Sequence, residues 1–282
     1  MSVAVRPEPV RAVAPAEPPP WRRSFAAVVR SGLHSERRAP IAWGVGLGAM
    51  CALIAAMWPS ISDSMQELVK NYPSTLKEAF GIEALDTVEK YVDAEMLSLI
   101  VPLAMAFFAV RCATRMIVGA EDRGHLDALL SLPLSRRALV AGSYVVTGIL
   151  LAAILTVMWA MTWITGTIAG TGISASTLGA GFANVWPLAM AFAGLAVLAA
   201  GVLHRPGTVT AIATGTLVAM YVVDLVGKLA SGLESVRVVS AFRYYGSAVQ
   251  DGIAPAHVLG LTAVGVVLAA AGAVLFDRRD IL

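Results

Sequence analysis

The sequence predicts an all-α integral membrane protein with six transmembrane helices. Three observations carry that prediction. Apolar residues make up 57% of the 282-residue chain and charged residues only 14%, with a mean hydropathy of +0.74. The stretch 138–204 carries no Lys, Arg, Asp or Glu at all. Six stretches reach the roughly 20 mostly apolar residues that a helix needs to cross a bilayer. An ordinary soluble domain and a disordered chain are both excluded by this composition.

Residues 1–20 are rich in Pro, Ala, Val and Glu, with consecutive prolines at 18–20. They read as a disordered N-terminal tail. No apolar core follows a short basic start, so they do not read as a secretory signal. Residues 21–38 read as an interfacial elbow helix. Trp21, Phe25, Val28, Val29 and Leu33 share one face, while Arg22, Arg23, Arg30, Arg37 and Arg38 lie on the others. Two roles stay open for it: a basic flank that only fixes orientation, or a helix that packs under the bundle and touches a cytoplasmic partner.

Residues 39–282 hold the spans, at about 41–59, 96–118, 138–164, 177–202, 209–230 and 257–276. Trp43 and Trp58 sit near the two ends of the first, where an aromatic belt would place them. Gly44 and Gly48 in the same span form a small-xxx-small pair that suits close helix packing and suggests a seam between subunits. Arg111 and Arg115 interrupt the second span near its inner end, within reach of the interface. Met158, Trp159, Met161 and Trp163 crowd the outer end of the third, as interface anchors or as a hydrophobic exit. Trp186-Pro187 is expected to bend the fourth.

Two outer segments remain. Residues 60–95 carry two short amphipathic sets, Met65, Leu68, Val69, Tyr72 and then Leu76, Phe80, on either side of Pro73. They read either as short helices capping the outer mouth or as a solvated loop. Residues 231–256, with Val236, Val238, Val239, Phe242, Tyr244 and Tyr245 around Arg237 and Arg243, can dip back into the rim if protein covers them.

Charge fixes the orientation. The first 40 residues hold seven Arg, and 15 of the 21 basic residues fall on the face of the termini. The opposite face has six, and its first loop holds eight acids against three Lys. The positive-inside rule puts both termini in the cytoplasm, in a plasma or inner membrane. The net charge of +2 hides this asymmetry and argues against a nucleic-acid partner. Cys51 and Cys112 sit near opposite ends of their spans, so no disulfide framework is indicated.

Catalysis finds little support. There is no G-x-x-x-x-G-K-[ST] loop, no H-E-x-x-H, no G-x-S-x-G and no Cys/His cluster with metal spacing. No metal site and no cofactor is expected in this chain. An intramembrane charge is a functional candidate by default. Here it is Asp224, with Lys228 one turn later at ion-pair spacing. It reads either as a local pair or as a substrate-binding group.

The densest charged segment between spans is 121–137. Leu126, Leu129 and Leu130 fall at i, i+3 and i+4, so a short helix would have one apolar and one charged face. Pro133 ends it, and Ser135-Arg136-Arg137 leads into the third span.

This insert resembles the cytoplasmic loop of permeases of the second, six-span exporter class of ABC transporters (the type V exporter-like fold). That loop runs acidic residue, Gly, small-to-acidic residue, Leu-Leu, Pro, Ser-Arg. Glu121, Gly124, Asp127, Leu129, Leu130, Pro133, Ser135 and Arg136 fill those places. Six spans, a basic elbow helix, the closing Phe276-Asp-Arg-Arg-Asp-Ile-Leu and the segment Ser240-Ala-Phe-Arg-Tyr-Tyr agree with the layout. Members often carry Pro where Ala241 stands. The resemblance implies a permease subunit that exports a hydrophobic or amphiphilic compound. A separate ABC ATP-binding subunit in two copies would supply ATP and Mg, and a second permease, the same or homologous, would sit beside it in the bilayer. Glu121, Asp122, Gly124, His125, Leu126, Leu129, Leu130, Pro133 and Arg136 would then form the coupling surface. Two other functions remain open. One is a non-transporting membrane anchor or sensor using the insert as a static dock. The other is a membrane enzyme acting on lipid-linked substrates, which would need polar residues clustered at one membrane face.

Overall fold

A computed structural model describes residues 21–71, 86–122, 135–230 and 232–278. Every element among them is helical. In order they are α1 (Trp21–Ser35), α2 (Ala39–Asn71), α3 (Val88–Val92), a π turn (Asp93–Leu97), α4 (Ile100–Asp122), α5 (Arg136–Ile168), α6 (Ala175–Val202), α7 (Pro206–Leu229), a 3₁₀ turn (Glu234–Val239), α8 (Ala241–Tyr245) and α9 (Pro255–Asp277). Six of them, α2, α4, α5, α6, α7 and α9, are long and apolar enough to cross a membrane.

The spans alternate in direction, so the bundle has two ends. One, here the basal end, gathers α1, the starts of α2, α5 and α7 and the ends of α4, α6 and α9. The distal end gathers α3, the π turn, the α5–α6 link and the 232–254 segment. Helix α6 is the centre. It packs on α4, α5, α7 and α9, and 72% of its span is buried, against 22% for α7 and for α9.

Glycine sets how closely the helices meet. Gly194 and Gly201 on α6 face Gly265 and Gly272 on α9 across two turns. A Cβ on Gly272 would lie 2.5 Å from the Val197 carbonyl oxygen, and one on Gly265 would lie 2.8 Å from that of Met190. Only glycine lets the two backbones touch. The outer helices α1 and α2 lie against α5. Helix α1 buries Ser24, Val28 and Gly32, a narrower stripe than its full apolar face, and Val28 fills the space that a side chain at Gly142 would take.

Several boundaries differ from the sequence expectation. Helix α2 runs on through Pro59 to Asn71. A proline removes one helical donor, and the turn persists, with the Ser60 hydroxyl donating to the Met57 carbonyl at 2.7 Å. Helix α4 starts at Ile100 rather than at residue 96, because the chain widens into a π turn at Asp93–Leu97, where the Ser98 amide donates five residues back to Asp93 O at 2.8 Å. Gly44 and Gly48 do face a neighbouring helix, but it belongs to the same chain. Val157, Met158 and Met161 of α5 cover them. The pair therefore gives no motive for placing a subunit seam at the first span. The two tryptophans also turn inward. Trp43 meets Phe108 edge-on at 5.6 Å, and Trp58 packs on Tyr91 at 5.4 Å.

Candidate functional site

Of the proposed coupling residues, Glu121 and Asp122 form the last turn of α4, continuous with the second span. Gly124, His125, Leu126, Leu129, Leu130 and Pro133 lie outside the described residues. Ser135 caps α5 by accepting from the Ala138 amide at 3.1 Å. Arg136 Nη1 donates to the Asp277 carbonyl at 3.4 Å, and Arg137 Nη2 and Nε reach the Asp277 carboxylate at 2.9 and 3.0 Å. The start of the third span is thereby tied to the end of the sixth. Cationic side chains near the carbonyls that end α9 also suit its dipole. At the same end, Arg115 pairs with Glu36 of the α1–α2 turn at 3.2 Å.

Beside that pair lies an open cleft of about 670 Å³ between α4 and α7. From α4 it takes Phe107, Arg111, Thr114 and Arg115, and from the start of α7 Pro206, Gly207, Thr210 and Thr214. The spacing follows from helix geometry, since 107, 111, 114 and 115 share one face of α4, as 207, 210 and 214 do of α7. Arg111 and Thr214 each lie eight residues inside the basal ends of their spans, about 12 Å at 1.5 Å per residue. The cleft thus runs from the basal rim well into the apolar layer. Thr114 is only 2% exposed, and neither its hydroxyl nor that of Thr214 has a hydrogen-bond partner among the described residues. A buried unpaired hydroxyl is unfavourable, by roughly 1–3 kcal/mol. Among the described residues, no carboxylate lines it.

The distal end holds three buried carboxylates among the described residues, Asp224, Asp93 and Glu89. Asp224 Oδ1 accepts from Arg237 Nε at 2.9 Å, and Oδ2 meets Lys228 Nζ at 3.0 Å. Its side chain is 4% exposed, so both oxygens are occupied and turned from solvent. The stem of Arg237 crosses the bare face of Gly227, where a Cβ would collide with it. The Ser240 hydroxyl donates to the Met220 carbonyl at 2.7 Å. Together these contacts seat the 232–245 segment on α7.

Asp93 is the second. Its Oδ2 accepts from the Ser247 hydroxyl at 2.6 Å and from Gln250 Nε2 at 3.1 Å. Burial raises its pKa above the ordinary carboxyl range, the two hydrogen bonds oppose that rise, and the Asp251 charge adds to it. The Tyr245 hydroxyl, pushed up chiefly by burial, donates to the Leu97 carbonyl at 2.8 Å. Asn184 Nδ2 donates to the Tyr245 carbonyl at 2.7 Å. This network joins the 241–250 segment to α6 and to the start of α4. Nearby, Glu89 accepts from the Ser174 amide and pins α3 to the α5–α6 link. No group of three His, Cys, Asp or Glu side chains forms a metal site among the described residues.

Sequence reasoning found Asp224 with Lys228 as an i, i+4 pair, and Arg111 with Arg115 near the inner end of the second span. It missed Arg237 as the second cation on Asp224, the Asp93 network, and the convergence of Arg111 with Thr114 and Thr214. A seven-residue Gly repeat on both the fourth and the sixth spans was legible and went unused.

The sequence family described as "Multidrug efflux system permease Rv1217c, C-terminal domain" matches residues 31–277. No curated protein matches the chain.

Proposed function

The chain belongs to this multidrug efflux permease family, whose match spans most of its length, and we propose that it is the membrane-spanning subunit of an ATP-driven ABC exporter. As a member it is a multi-pass membrane permease, a transport subunit rather than an enzyme. The carrying observation is that the matched residues, 31–277, take in all six spans of one closely packed bundle. The ATPase is a separate subunit in two copies and brings ATP and Mg. A second permease, the same or homologous, sits alongside, and both termini face the cytoplasm of a plasma membrane.

Two features support the mechanism. At the basal end, the α1–α2 turn, α4, α5 and α9 are cross-linked by the Arg115–Glu36 and Arg137–Asp277 pairs. A push delivered between α4 and α5, at the 121–134 insert, would be shared by four helices. The cleft between α4 and α7 opens at the same end and extends into the apolar layer. A second six-span subunit facing α4 and α7 would close it into a passage.

In the insert, Leu126, Leu129 and Leu130 would anchor on the ATPase, with Asp122, Arg123 and Asp127 forming the rim, because a few desolvated side chains carry most interface energy. Leu129→Ala with Leu130→Ala should abolish cargo-stimulated ATP hydrolysis and export together, while membrane insertion stays normal. A well-expressed double variant that binds its ATPase and exports at the wild-type rate would remove the coupling role.

A further inference from the structure

We propose that the α4–α7 cleft binds the headgroup of an anionic amphiphile, a compound with one phosphate-like or other oxyanion head and an apolar tail. The proposal rests on the permease reading and names the substrate class of that permease. Four independent features of the cleft select a negative head. Arg111 is exposed on its wall and makes no ion pair among the described residues. Arg115 beside it is half exposed, with Glu36 as its carboxylate partner. Thr114 and Thr214 present buried hydroxyls with no acceptor or donor among the described residues. Helix α7 begins in the cleft at Pro206 and Gly207; the Thr208 and Val209 amides donate to the Arg205 carbonyl, which leaves the Gly207 amide, and the helix dipole favours negative charge there. Gly207 is open above its Cα, with nothing within 4 Å of where a Cβ would stand. An oxyanion seated at the Arg111 guanidinium has Thr214 at the same depth, Thr114 toward the rim and the Gly207 amide at the rim, and displaces no carboxylate of the described residues. Phe107, deeper than Arg111, continues the wall into the apolar layer, which suits a tail and would be wasted on a bare ion.

The test is binding to the full chain in phosphatidylcholine nanodiscs, with dodecyl phosphate, dodecyltrimethylammonium and inorganic phosphate as probes. Dodecyl phosphate should bind. Arg111→Gln should weaken it by about tenfold or more, the loss of one charge-assisted hydrogen bond. Thr114→Val keeps the side-chain shape, removes only the hydroxyl, and should weaken binding several-fold. The unliganded thermal midpoint should match wild type for Arg111→Gln and stand at or above it for Thr114→Val, which removes an unpaired buried hydroxyl, so weaker binding in either variant is lost recognition and not lost folding. The ammonium probe and inorganic phosphate should bind at least tenfold more weakly. Competition by phosphatidic acid placed in the disc assigns the site to a bilayer lipid, and lack of competition assigns it to single-tailed solutes. Either result keeps the anionic head. Equal binding of the cationic probe, equal binding of inorganic phosphate, or unchanged affinity in both variants overturns the proposal. No ATP or ATPase enters this measurement, so its failure leaves the ATP-driven reading standing, and failure of ATP-driven export leaves the binding result standing.

Discussion

The same Gly→Ala substitution made at three places on α9 should have opposite consequences, decided only by what faces each glycine. At Gly260 a Cβ meets nothing within 4 Å. The alanine there should be neutral or should stabilise the helix by up to about 1 kcal/mol through backbone propensity. At Gly265 the new methyl would stand 2.8 Å from the Met190 carbonyl oxygen and 3.1 Å from the Ala191 Cα, and at Gly272 it would stand 2.5 Å from the Val197 oxygen. Ordinary contact starts at 3.4 Å, so α9 must retreat from α6 by about 0.6–0.9 Å; at Gly265 the Tyr144 hydroxyl, 2.7 Å away, could move aside, but the backbone atoms at both sites cannot. A gap of that size removes about a quarter to a half of the dispersion well for each atom pair it opens. Leu261, Ala269 and Phe276, the buried residues of the same stripe, would all lose contact. Overpacking of this kind costs about 1–3 kcal/mol, and a full propensity gain returns about 1, leaving a net loss of about 0–2 kcal/mol per site, whereas Gly260→Ala keeps its gain. The assay is thermal unfolding of the detergent-solubilised chain, all three variants in one buffer. If Gly265→Ala and Gly272→Ala unfold at or above the midpoint of Gly260→Ala, the glycine-mediated backbone contact is not what joins the fourth and sixth spans.

Three further outcomes follow from the same contacts. Arg237→Met should destabilise by about 2–3 kcal/mol, because it leaves the nearly buried Asp224 carboxylate with Lys228 alone, whereas Asp224→Leu combined with Arg237→Met should cost clearly less than the two single losses added together; simple additivity in a double-mutant cycle would contradict the pairing. Asp93 keeps its proton to higher pH in the folded chain than in the unfolded one, so its contribution is greatest below the ordinary carboxyl range and declines as pH rises from about 4; Asp93→Asn, which can still accept from Ser247 and Gln250, should match wild type near pH 4 and exceed it at pH 7, and equal midpoints at both would refute the raised value. Topology is readable because both native cysteines are buried: a cysteine at Ser176 should react with an impermeant maleimide on intact cells and one at Ser35 should not, the reverse pattern inverting the orientation.

The spans were legible because bilayer length and apolar composition leave a chain few choices. Their ends were less so. Pro59 looked like a stop, yet one missing donor does not end a helix whose neighbouring turns are packed on α5. The π turn at Asp93–Leu97 has no sequence signature, since it arises when Asp93 is drawn to Ser247 and Gln250, far along the chain. Gly44 and Gly48 were rightly read as a contact stripe, but a stripe does not say whose helix it meets. Asp224 and Lys228 were visible as neighbours at i and i+4. Arg237 was not, because it reaches Asp224 from a turn beyond the span and needs the bare Gly227 to pass. The cleft hydroxyls belong to two helices whose pairing only the fold decides.

The central claim is that this permease moves its cargo only when a separate ATPase drives it. The direct measurement is transport in proteoliposomes made from the chain together with the ATP-binding protein that co-purifies with it. Dodecyl phosphate carrying a fluorescent tail would serve as cargo, with ATP and Mg on the ATPase side. The account predicts accumulation that requires ATP, requires the second protein, and disappears with the Leu129→Ala, Leu130→Ala pair while the complex stays assembled. Accumulation at the same rate without the ATPase, or an assembled and ATP-hydrolysing complex that moves neither this probe nor any other amphiphile offered to it, would contradict it.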